Sequence, residues 1–422
     1  MKKQLFESPF GAEYTKCVLD NGLTLYVMEK PQFSSSYAMF GTKYGSIDMN
    51  FSDREGNRVD IPAGTAHFLE HKLFESEDGD AFSKFSVTGA SANAFTSFDR
   101  TCYLFSCGDN FYDNYEILLS FVQSPYFTTE TINKEQGIIG QEIRMYDDSP
   151  GWRVLFNMLH AMYYSHPVKN DIAGTTESIA QITADTLYKC YNAFYNPSNM
   201  FVCVCGNVDT NRVIEMTKDL IKAETGYKVE RFMPVESEGV KEHLVEEKMS
   251  VMLPIFTFGF KQKCDERLKL KSKVCINLLL ETLAGDSSPL YARLTKAGLI
   301  GESFDFELMS YEGAACIIFE GESEKPEEVR KEILKEIENI RENGIDKRLF
   351  SAVKCRFFGE EIRKLDSVEE MCMQFAESNI AGYELFDKIS AIKSVSANEV
   401  FRYIDLLRED NSVLSVIKPL EE

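Results

Sequence analysis

The first part of the chain alternates apolar and polar residues. Residues 17–29 read Cys-Val-Leu-Asp-Asn-Gly-Leu-Thr-Leu-Tyr-Val-Met-Glu, with alternation on both sides of Asn21 and Gly22. A period of two predicts strands that are buried on one face, and an Asn-Gly pair favours the tight turn of a hairpin. A further strand is predicted within residues 36–46. We therefore expect the chain to begin with antiparallel sheet.

The period changes from two to that of a helix at residues 63–75. Apolar residues there recur on one helix face, and these are Ala66, Leu69, Leu73 and Phe74. This spacing predicts a helix that ends before Ser76. The same reasoning predicts further elements: strands within 92–107 and 200–208, and helices over 110–124 and 130–146.

The order of elements recurs in the second half of the chain. Residues 227–242 are polar, contain Pro234 and Gly239, and follow no clear period, so we interpret them as an interdomain linker. After them come, in order, a strand within 250–261, a helix over 273–285, a strand over 314–322 and charged helices. The repeated order predicts a duplicated α+β domain, with domain bounds of 1–226 and 243–422.

Composition narrows the class of protein. The chain has 422 residues, too many for one ordinary core, and a formal net charge of -21. That charge argues against binding to nucleic acid or to an anionic membrane, both of which need a basic surface. No apolar run is long enough to predict a membrane-spanning helix, and residues 1–11 do not resemble a secretory signal. The eleven cysteines include no Cys-x-x-Cys pair, which is typical of reduced, cytoplasmic protein.

Candidate chemistry lies in the predicted helix at residues 63–75. His67, Glu70 and His71 are spaced i, i+3 and i+4, so their side chains project from one helix face. Two neutral imidazoles one turn apart can hold a zinc ion, and the glutamate can accept a proton from a metal-bound water. A carboxylate at its usual pKa of about 4.3 is ionised at pH 7 and can act as a base. The alternative is a surface helix that carries this pattern by chance.

A third metal ligand is expected on the helix predicted over 130–146. Catalytic zinc usually takes three protein ligands and leaves one position for water. Glu135 and Glu142 lie seven residues apart, which is two turns along one helix face. Either carboxylate could complete the site, although two solvated glutamates on an amphipathic helix would look the same.

Several motifs together resemble the pitrilysin and insulinase family of zinc peptidases, in particular its bacterial YmfH-like subgroup. His-Phe-Leu-Glu-His at 67–71 is followed some 70 residues later by two glutamates seven residues apart. Residues 89–103 resemble the family's Gly-x-x-x-Asn-Ala-x-Thr strand. Further matches are Tyr-Ser-His-Pro at 164–167, residues 172–179, and Phe-Tyr-Asn-Pro-Ser-Asn-Met at 194–200. The resemblance extends from about residue 20 to about residue 210.

The resemblance implies a fold and a set of metal ligands. The fold would be two tandem, homologous α/β-roll domains, each an antiparallel-rich sheet flanked by helices, that form one half of a clamshell. One Zn²⁺ per chain would be held by His67, His71 and Glu142, with Glu70 as the general base. Glu135 would lie behind the site and steady a ligand. The C-terminal domain would carry no metal ligands.

The family also implies how a peptide binds. Asn93, Ala94, Phe95 and Tyr103 would contact an extended peptide that pairs with an edge strand as an added strand. An ordinary strand would present the same residues, so this assignment depends on the resemblance.

One family feature is missing from the sequence. Many members carry an arginine and a tyrosine, spaced as Arg-x-Lys-x-Gly-Leu-x-Tyr, that stabilise the charge developing on the substrate carbonyl. Residues 294–301 keep the lysine, glycine and leucine, but Leu294 and Gly301 occupy the arginine and tyrosine positions. The resemblance therefore implies a heterodimer in which a homologous partner without a zinc site supplies the pair; a homodimer is the alternative.

These features predict a zinc-dependent endopeptidase subunit that cleaves unfolded peptides or precursor segments. The competing hypothesis is a non-catalytic core or assembly subunit that retains the peptidase fold. Inactive relatives typically lose a histidine or the base, whereas this sequence keeps His67, Glu70, His71 and Glu142.

Overall fold

The computed structural model describes residues 1–77, 79–222, 226–263, 267–301 and 303–420, which form two compact units. The first unit contains Met1–Ile143, Asp171–Phe232 and Arg363–Phe386. The second contains Arg144–Asn170, Met233–Ile362 and Asp387–Glu422. Neither unit is continuous in sequence, because each includes a segment from the other half of the chain.

Strands and helices are numbered along the chain. The strands are β1 Lys2–Glu7, β2 Glu13–Val18, β3 Thr24–Glu29, β4 Ser36–Thr42, β5 Asn50–Ser52, β6 Arg58–Asp60, β7 Glu75–Ser76, β8 Gly79–Asp80, β9 Ser91–Thr96, β10 Thr101–Cys107, β11 Met200–Gly206, β12 Leu244–Met249, β13 Ile255–Gln262, β14 Asp305–Tyr311, β15 Ala314–Glu322 and β16 Ser412–Pro419. The α-helices are α1 Thr65–Leu73, α2 Ala81–Thr88, α3 Phe111–Val122, α4 Thr129–Asp147, α5 Pro150–Met162, α6 Thr176–Ile179, α7 Ala184–Phe194, α8 Thr210–Leu220, α9 Leu270–Ala284, α10 Pro289–Lys296, α11 Pro326–Asn343, α12 Lys347–Arg363, α13 Val368–Ala381, α14 Leu385–Ser394 and α15 Ala397–Phe401. In the described parts of the chain, every helix is too short or too polar to span a membrane.

The larger sheet of the first unit confirms the predicted α+β class. Its described strands follow the order β1-β2-β3-β11-β4-β10-β9, and every pair is antiparallel except β3 with β11. The predicted hairpin joins β2 to β3, and Gly22 adopts φ 94° in the turn, a left-handed conformation that glycine accepts without strain. Strand β9 lies at one edge of this sheet.

A helix from far along the sequence covers the centre of this sheet. Every residue of β4 and β11 is buried, and α13 packs against both strands. Phe375 of α13 stacks on Tyr26, with ring centroids 5.2 Å apart, and the Cys372 thiol lies 3.8 Å from the Tyr37 carbonyl. The periodicity of the sequence does not predict this contact, because residues some 340 positions apart meet only in the tertiary structure.

The sheet of the second unit has the strand order β12-β16-β13-β15-β14 among its described strands. Helix α5, from the first half of the sequence, packs against β13 and β16. Gly259 of β13 makes that close approach possible, because a Cβ atom there would lie 2.4 Å from the Met158 sulfur. The predicted strand within 250–261 begins only at Ile255, directly after Pro254, which has no N–H to donate to a sheet.

Part of the predicted linker is held by hydrogen bonds and an ion pair within one unit or the other. Ser52 donates its N–H to the Glu230 carbonyl in the first unit, and Glu236 is held in the second unit. The two units divide at residues 232 and 233, inside the predicted linker of 227–242. The predicted bounds 1–226 and 243–422 remain a prediction about domains that fold independently.

A buried ion pair anchors the second unit. The Lys261 ammonium, 3% exposed, lies 2.9 Å from Glu236 and also donates to the Met162 and Gly239 carbonyls. Glu236 accepts the backbone N–H groups of residues 164–166. Burial opposes ionisation of Glu236, but Lys261 and the three N–H donors together lower its pKa to about 2.

We predict that Glu236→Gln destabilises the protein at pH 7 by about 3 kcal/mol, because it leaves a buried ammonium without its counter-charge. A carboxylate with a lowered folded-state pKa stabilises the fold above its unfolded pKa, and this contribution is lost as the pH falls through the folded pKa. The difference from wild type should therefore persist down to about pH 5 and narrow below about pH 4. Chemical unfolding at several pH values measures it.

Glu238→Gln is the matched control, since Glu238 pairs with Lys263 on the surface. This variant should unfold as wild type does. Equal stability of Glu236→Gln and Glu238→Gln at pH 7 would contradict the structural role of the buried pair.

Candidate metal centre

Helix α1 carries the candidate ligands in a buried position. It begins after Gly64, which adopts φ 86° and lies so close to the Ala173 carbonyl that a Cβ atom would be 2.4 Å from its oxygen. Glycine is therefore required at the entry to this helix. His67 and Glu70 are only 8% and 7% exposed, although both are polar. Buried polar side chains need partners, and the helix face that holds them meets α4.

Helix α4 brings Glu142 to the two histidines. Glu142 Oε1 lies 3.7 Å from His67 Nε2, and Glu142 Oε2 lies 3.5 Å from His71 Nε2. One donor atom from each residue can be chosen so that all three lie within 4.8 Å of one another. Donors about 2.1 Å from a tetrahedral ion lie about 3.4 Å apart, so the three residues fit a zinc ion with little movement. The predicted ligand set is brought together.

Glu135, which the resemblance implies would steady a ligand, lies against His71. His71 Nδ1–H donates to Glu135 Oε1 at 3.0 Å, which leaves Nε2, on the Glu142 side, free to bind a metal. Burial raises the pKa of Glu135, but the hydrogen bond and charge of His71, together with the charges of Lys72 and Lys134, lower it overall. Burial likewise lowers the pKa of His71, yet Glu135 and the nearby carboxylates raise it overall.

His67 is neutral at physiological pH. Burial lowers the pKa of its imidazole to about 3, so that a nitrogen lone pair is available to a metal. Its Nδ1 is buried and has no hydrogen-bond partner among the residues that the structure describes. The donor set thus combines two imidazole nitrogens with a carboxylate, a combination that zinc prefers.

Glu70 lies on the same helix face and is held by a residue that sequence reasoning missed. The Thr96 hydroxyl donates to Glu70 Oε2 at 2.6 Å. Burial raises the pKa of Glu70 to about 7, opposed by the Thr96 bond, so the ordinary pKa assumed from sequence does not apply. The only signal in the sequence is that Thr96 is the threonine of the Gly-x-x-x-Asn-Ala-x-Thr motif.

Strand β9 places the predicted peptide contacts beside the site. Asn93 is exposed, and its side-chain oxygen accepts the Ala94 N–H at 2.9 Å. Ala94 and Phe95 are half-buried. Among the described strands β9 pairs only with β10, so its other edge is available to an added strand.

Tyr103 lies in the core and not on the edge that is predicted to bind a peptide. Its side chain is fully buried, its hydroxyl bonds to Tyr195 at 2.8 Å, and its ring packs against Phe74 and Phe121. The ring packs beneath the sheet next to Ala94, its partner in the register, and has no exposed surface to offer a peptide, so the prediction that Tyr103 contacts the peptide does not fit its burial.

The remaining histidines lie outside the candidate centre. Buried His166 donates from Nε2 to the Glu312 carbonyl and accepts the Val168 N–H, a structural role. His243 Nδ1 donates to the Ser412 carbonyl. Among the described residues, one group of His, Cys, Asp or Glu side chains is close enough to share a metal ion, namely His67, His71 and Glu142.

At the positions where the resemblance places an arginine and a tyrosine, this chain carries Leu294 and Gly301. Leu294 is fully buried in α10. Arg293, one residue away, is bound to Glu336 at 2.5 Å and to Glu332 at 3.4 Å. These ion pairs hold its guanidinium against α11.

Family models match most of the chain. Residues 55–176 match the model described as insulinase, peptidase family M16, and residues 181–356 match the model described as the peptidase M16 inactive domain. The first match contains His67, Glu70, His71 and Glu142. The second contains the positions where the arginine and tyrosine are absent.

Whole-chain relatives agree with these matches. The zinc protease YmfH of Bacillus subtilis is 42% identical over 390 residues, which is 90% of this chain and 91% of that protein. A crystal structure of an M16-like peptidase from Alicyclobacillus acidocaldarius is 32% identical, with a TM-score of 0.94 over 98% of this chain and all of that one. Pitrilysin, at 18% identity and a TM-score of 0.77, shares the fold over all of this chain and 47% of its own. The chain belongs to the insulinase family of peptidases, M16.

Proposed function

We propose that this chain is the zinc-bearing subunit of a zinc-dependent endopeptidase that cleaves unfolded peptides or precursor segments. The observation that carries the proposal is the convergence of His67, His71 and Glu142 next to the buried carboxylate of Glu70. One Zn²⁺ per chain is expected. The two Nε2 atoms and the Glu142 carboxylate would hold it, and Glu135 would keep His71 in the tautomer that binds.

A zinc ion at this site would acidify water and polarise the carbonyl of the scissile peptide bond. Glu70 removes the proton from the attacking water, and the hydroxyl oxygen adds to the carbonyl carbon. Glu70 then passes that proton to the leaving nitrogen as the C–N bond breaks. The products are a carboxylic acid and an amine, which ionise to a carboxylate and an ammonium group near pH 7.

The peptide would bind as an added strand along β9, near Asn93, Ala94 and Phe95. Backbone pairing at a sheet edge selects extended chains, and it depends little on side-chain identity. Folded proteins do not present a free extended segment, so unfolded peptides fit this mode. Pairing along β9 also brings the peptide towards Glu70, because Thr96 ends that strand and bonds to the base.

A heterodimer accounts for the incomplete site. Leu294 and Gly301 occupy the positions of the family's arginine and tyrosine. The neighbouring Arg293 forms an ion pair with Glu336. The chain spans about half of pitrilysin, as expected if a second, homologous chain supplies the other half. A homodimer would need another way to stabilise the oxyanion. The described cysteines are all free, which supports a cytoplasmic location.

Glu70→Gln is expected to lower kcat by at least about 10²-fold while zinc content and peptide affinity stay unchanged, because the amide cannot accept the proton. Peptide cleavage, metal analysis and peptide binding measure the three quantities. Glu77→Gln, an exposed glutamate seven residues along, should behave as wild type. Wild-type turnover by Glu70→Gln would exclude Glu70 as the base.

Glu135→Gln is expected to weaken zinc binding by about 10-fold to 100-fold, because the partner that orients His71 loses its charge. Competition with a chromogenic chelator measures the affinity. The matched control is Glu130→Gln, an exposed glutamate on the same helix. Unchanged zinc affinity in Glu135→Gln would show that the His71 contact does not tune the metal site.

The heterodimer predicts that this chain alone cleaves unstructured peptides poorly and gains activity with a homologous chain that carries the arginine and tyrosine. A peptide library is incubated with the chain alone and with that partner, each with and without chelator. Chelator-sensitive cleavage only in the mixture supports the split site. Cleavage by the single chain would contradict the split site. Absence of cleavage in both samples, with zinc bound, would favour the non-catalytic assembly subunit.

A further inference from the structure

We infer that Thr96 is the residue that positions Glu70, and that it thereby couples the peptide-binding strand to the catalytic base. The inference rests on the proposed function and deepens it. Its starting point is the 2.6 Å hydrogen bond from the Thr96 hydroxyl, at the end of β9, to Glu70 Oε2 on α1.

The hydroxyl proton of Thr96 has two acceptors within reach, Glu70 and Thr101, and Glu70 is the favoured one. Thr101, its partner in the sheet register, donates its own hydroxyl proton to the Tyr44 carbonyl at 2.9 Å. The distance between the two threonine oxygens is 3.3 Å, so Thr101 can only accept there. A threonine hydroxyl has a single proton, and the shorter, charge-assisted bond to Glu70 takes it.

This bond decides which Glu70 oxygen faces the substrate side. The terminal torsion of a glutamate is a broad, two-fold rotor that packing alone does not fix. Because Thr96 engages Oε2, Oε1 is the oxygen left to receive a proton from water. Glu70 is 7% exposed, and a buried carboxylate that loses its donor loses both orientation and stabilisation.

The same bond links substrate binding to the base. Strand β9 pairs with β10 on one side, and among the described strands its other side is open. A peptide that adds there would form backbone hydrogen bonds to the strand that ends in Thr96, and would restrict its motion. Alignment of Glu70 would therefore improve when an extended peptide is bound, so the effect of losing the hydroxyl should fall on kcat rather than on KM.

Three variants test the inference in the zinc-loaded chain with its active partner. Thr96→Val keeps the shape and removes the hydroxyl, and it should lower kcat at least about 10-fold with KM within about twofold and zinc content unchanged. Thr96→Ser restores a hydroxyl and should recover kcat to within about threefold of wild type. Thr176→Val is the matched control, because Thr176 also donates to a glutamate, Glu177 at 3.0 Å, but on the surface.

A second measurement does not depend on activity. In thermal unfolding, Thr96→Val should lower Tm more in the wild-type background than in the Glu70→Ala background, because the two residues share one interaction. Thr176→Val should lower Tm equally in both backgrounds. If Thr96→Val lowered Tm by the same amount in both backgrounds, the inferred interaction between Thr96 and Glu70 would be overturned.

The outcomes separate this inference from the proposed function. Wild-type cleavage together with a normal kcat in Thr96→Val would overturn the role of Thr96 and leave the peptidase intact. A kcat loss that Thr96→Ser does not rescue would indicate a general structural effect and would also overturn the role. Absence of wild-type cleavage with every partner would reject the proposed function itself, and the positioning role with it, whatever the Tm coupling shows.

Discussion

The candidate site depends on the cost of burying polar side chains in helix α1. His67 and Glu70 are almost fully buried, and each would destabilise the fold unless neighbouring groups compensated it. Glu142 from α4 faces the two imidazoles, and Thr96 from β9 satisfies Glu70. The packing of α1 against a helix on one side and a strand on the other is therefore the constraint that gives the site its geometry.

That constraint also explains how one structure could both bind a peptide and cleave it. Strand β9 is an edge strand, and its last residue, Thr96, bonds directly to Glu70, the proposed base. Peptide recognition through backbone pairing needs an unpaired edge, which a protein usually protects. Here the exposed Asn93 bonds to the adjacent Ala94 N–H and so occupies part of that edge. Backbone recognition and proton transfer would thus be separated by three residues of one strand.

The second unit has a sheet covered by helices, as the first unit does, but the described candidate metal ligands all lie in the first unit. Helix α5 covers the sheet of the second unit in the way that α13 covers the sheet of the first unit, and the core of the second unit is a cluster of buried apolar side chains. At the positions of the family's arginine and tyrosine, however, there is a buried leucine, Leu294, and Gly301. Arg293 instead forms ion pairs that stabilise the packing of α10 on α11. Selection for a stable fold and selection for a complete site act on different residues, so one can persist without the other.

The sequence by itself determined the local features of this protein. The Asn-Gly hairpin, helix α1, helix α4 and strand β15 follow from periods of two or 3.6 residues, and the i, i+3, i+4 spacing on α1 predicts one face that carries both histidines and Glu70. Whether Glu135 or Glu142 approaches a metal was open from the residues alone, and only the family resemblance favoured Glu142. The tertiary structure decided what depends on contacts between distant segments: the packing of α13 on the first sheet, the burial of Tyr103, the raised pKa of Glu70 and its bond to Thr96. Periodicity reports which face of an element is apolar, but burial, pKa and hydrogen-bond partners are set by what packs against that face, and no local pattern encodes the partner.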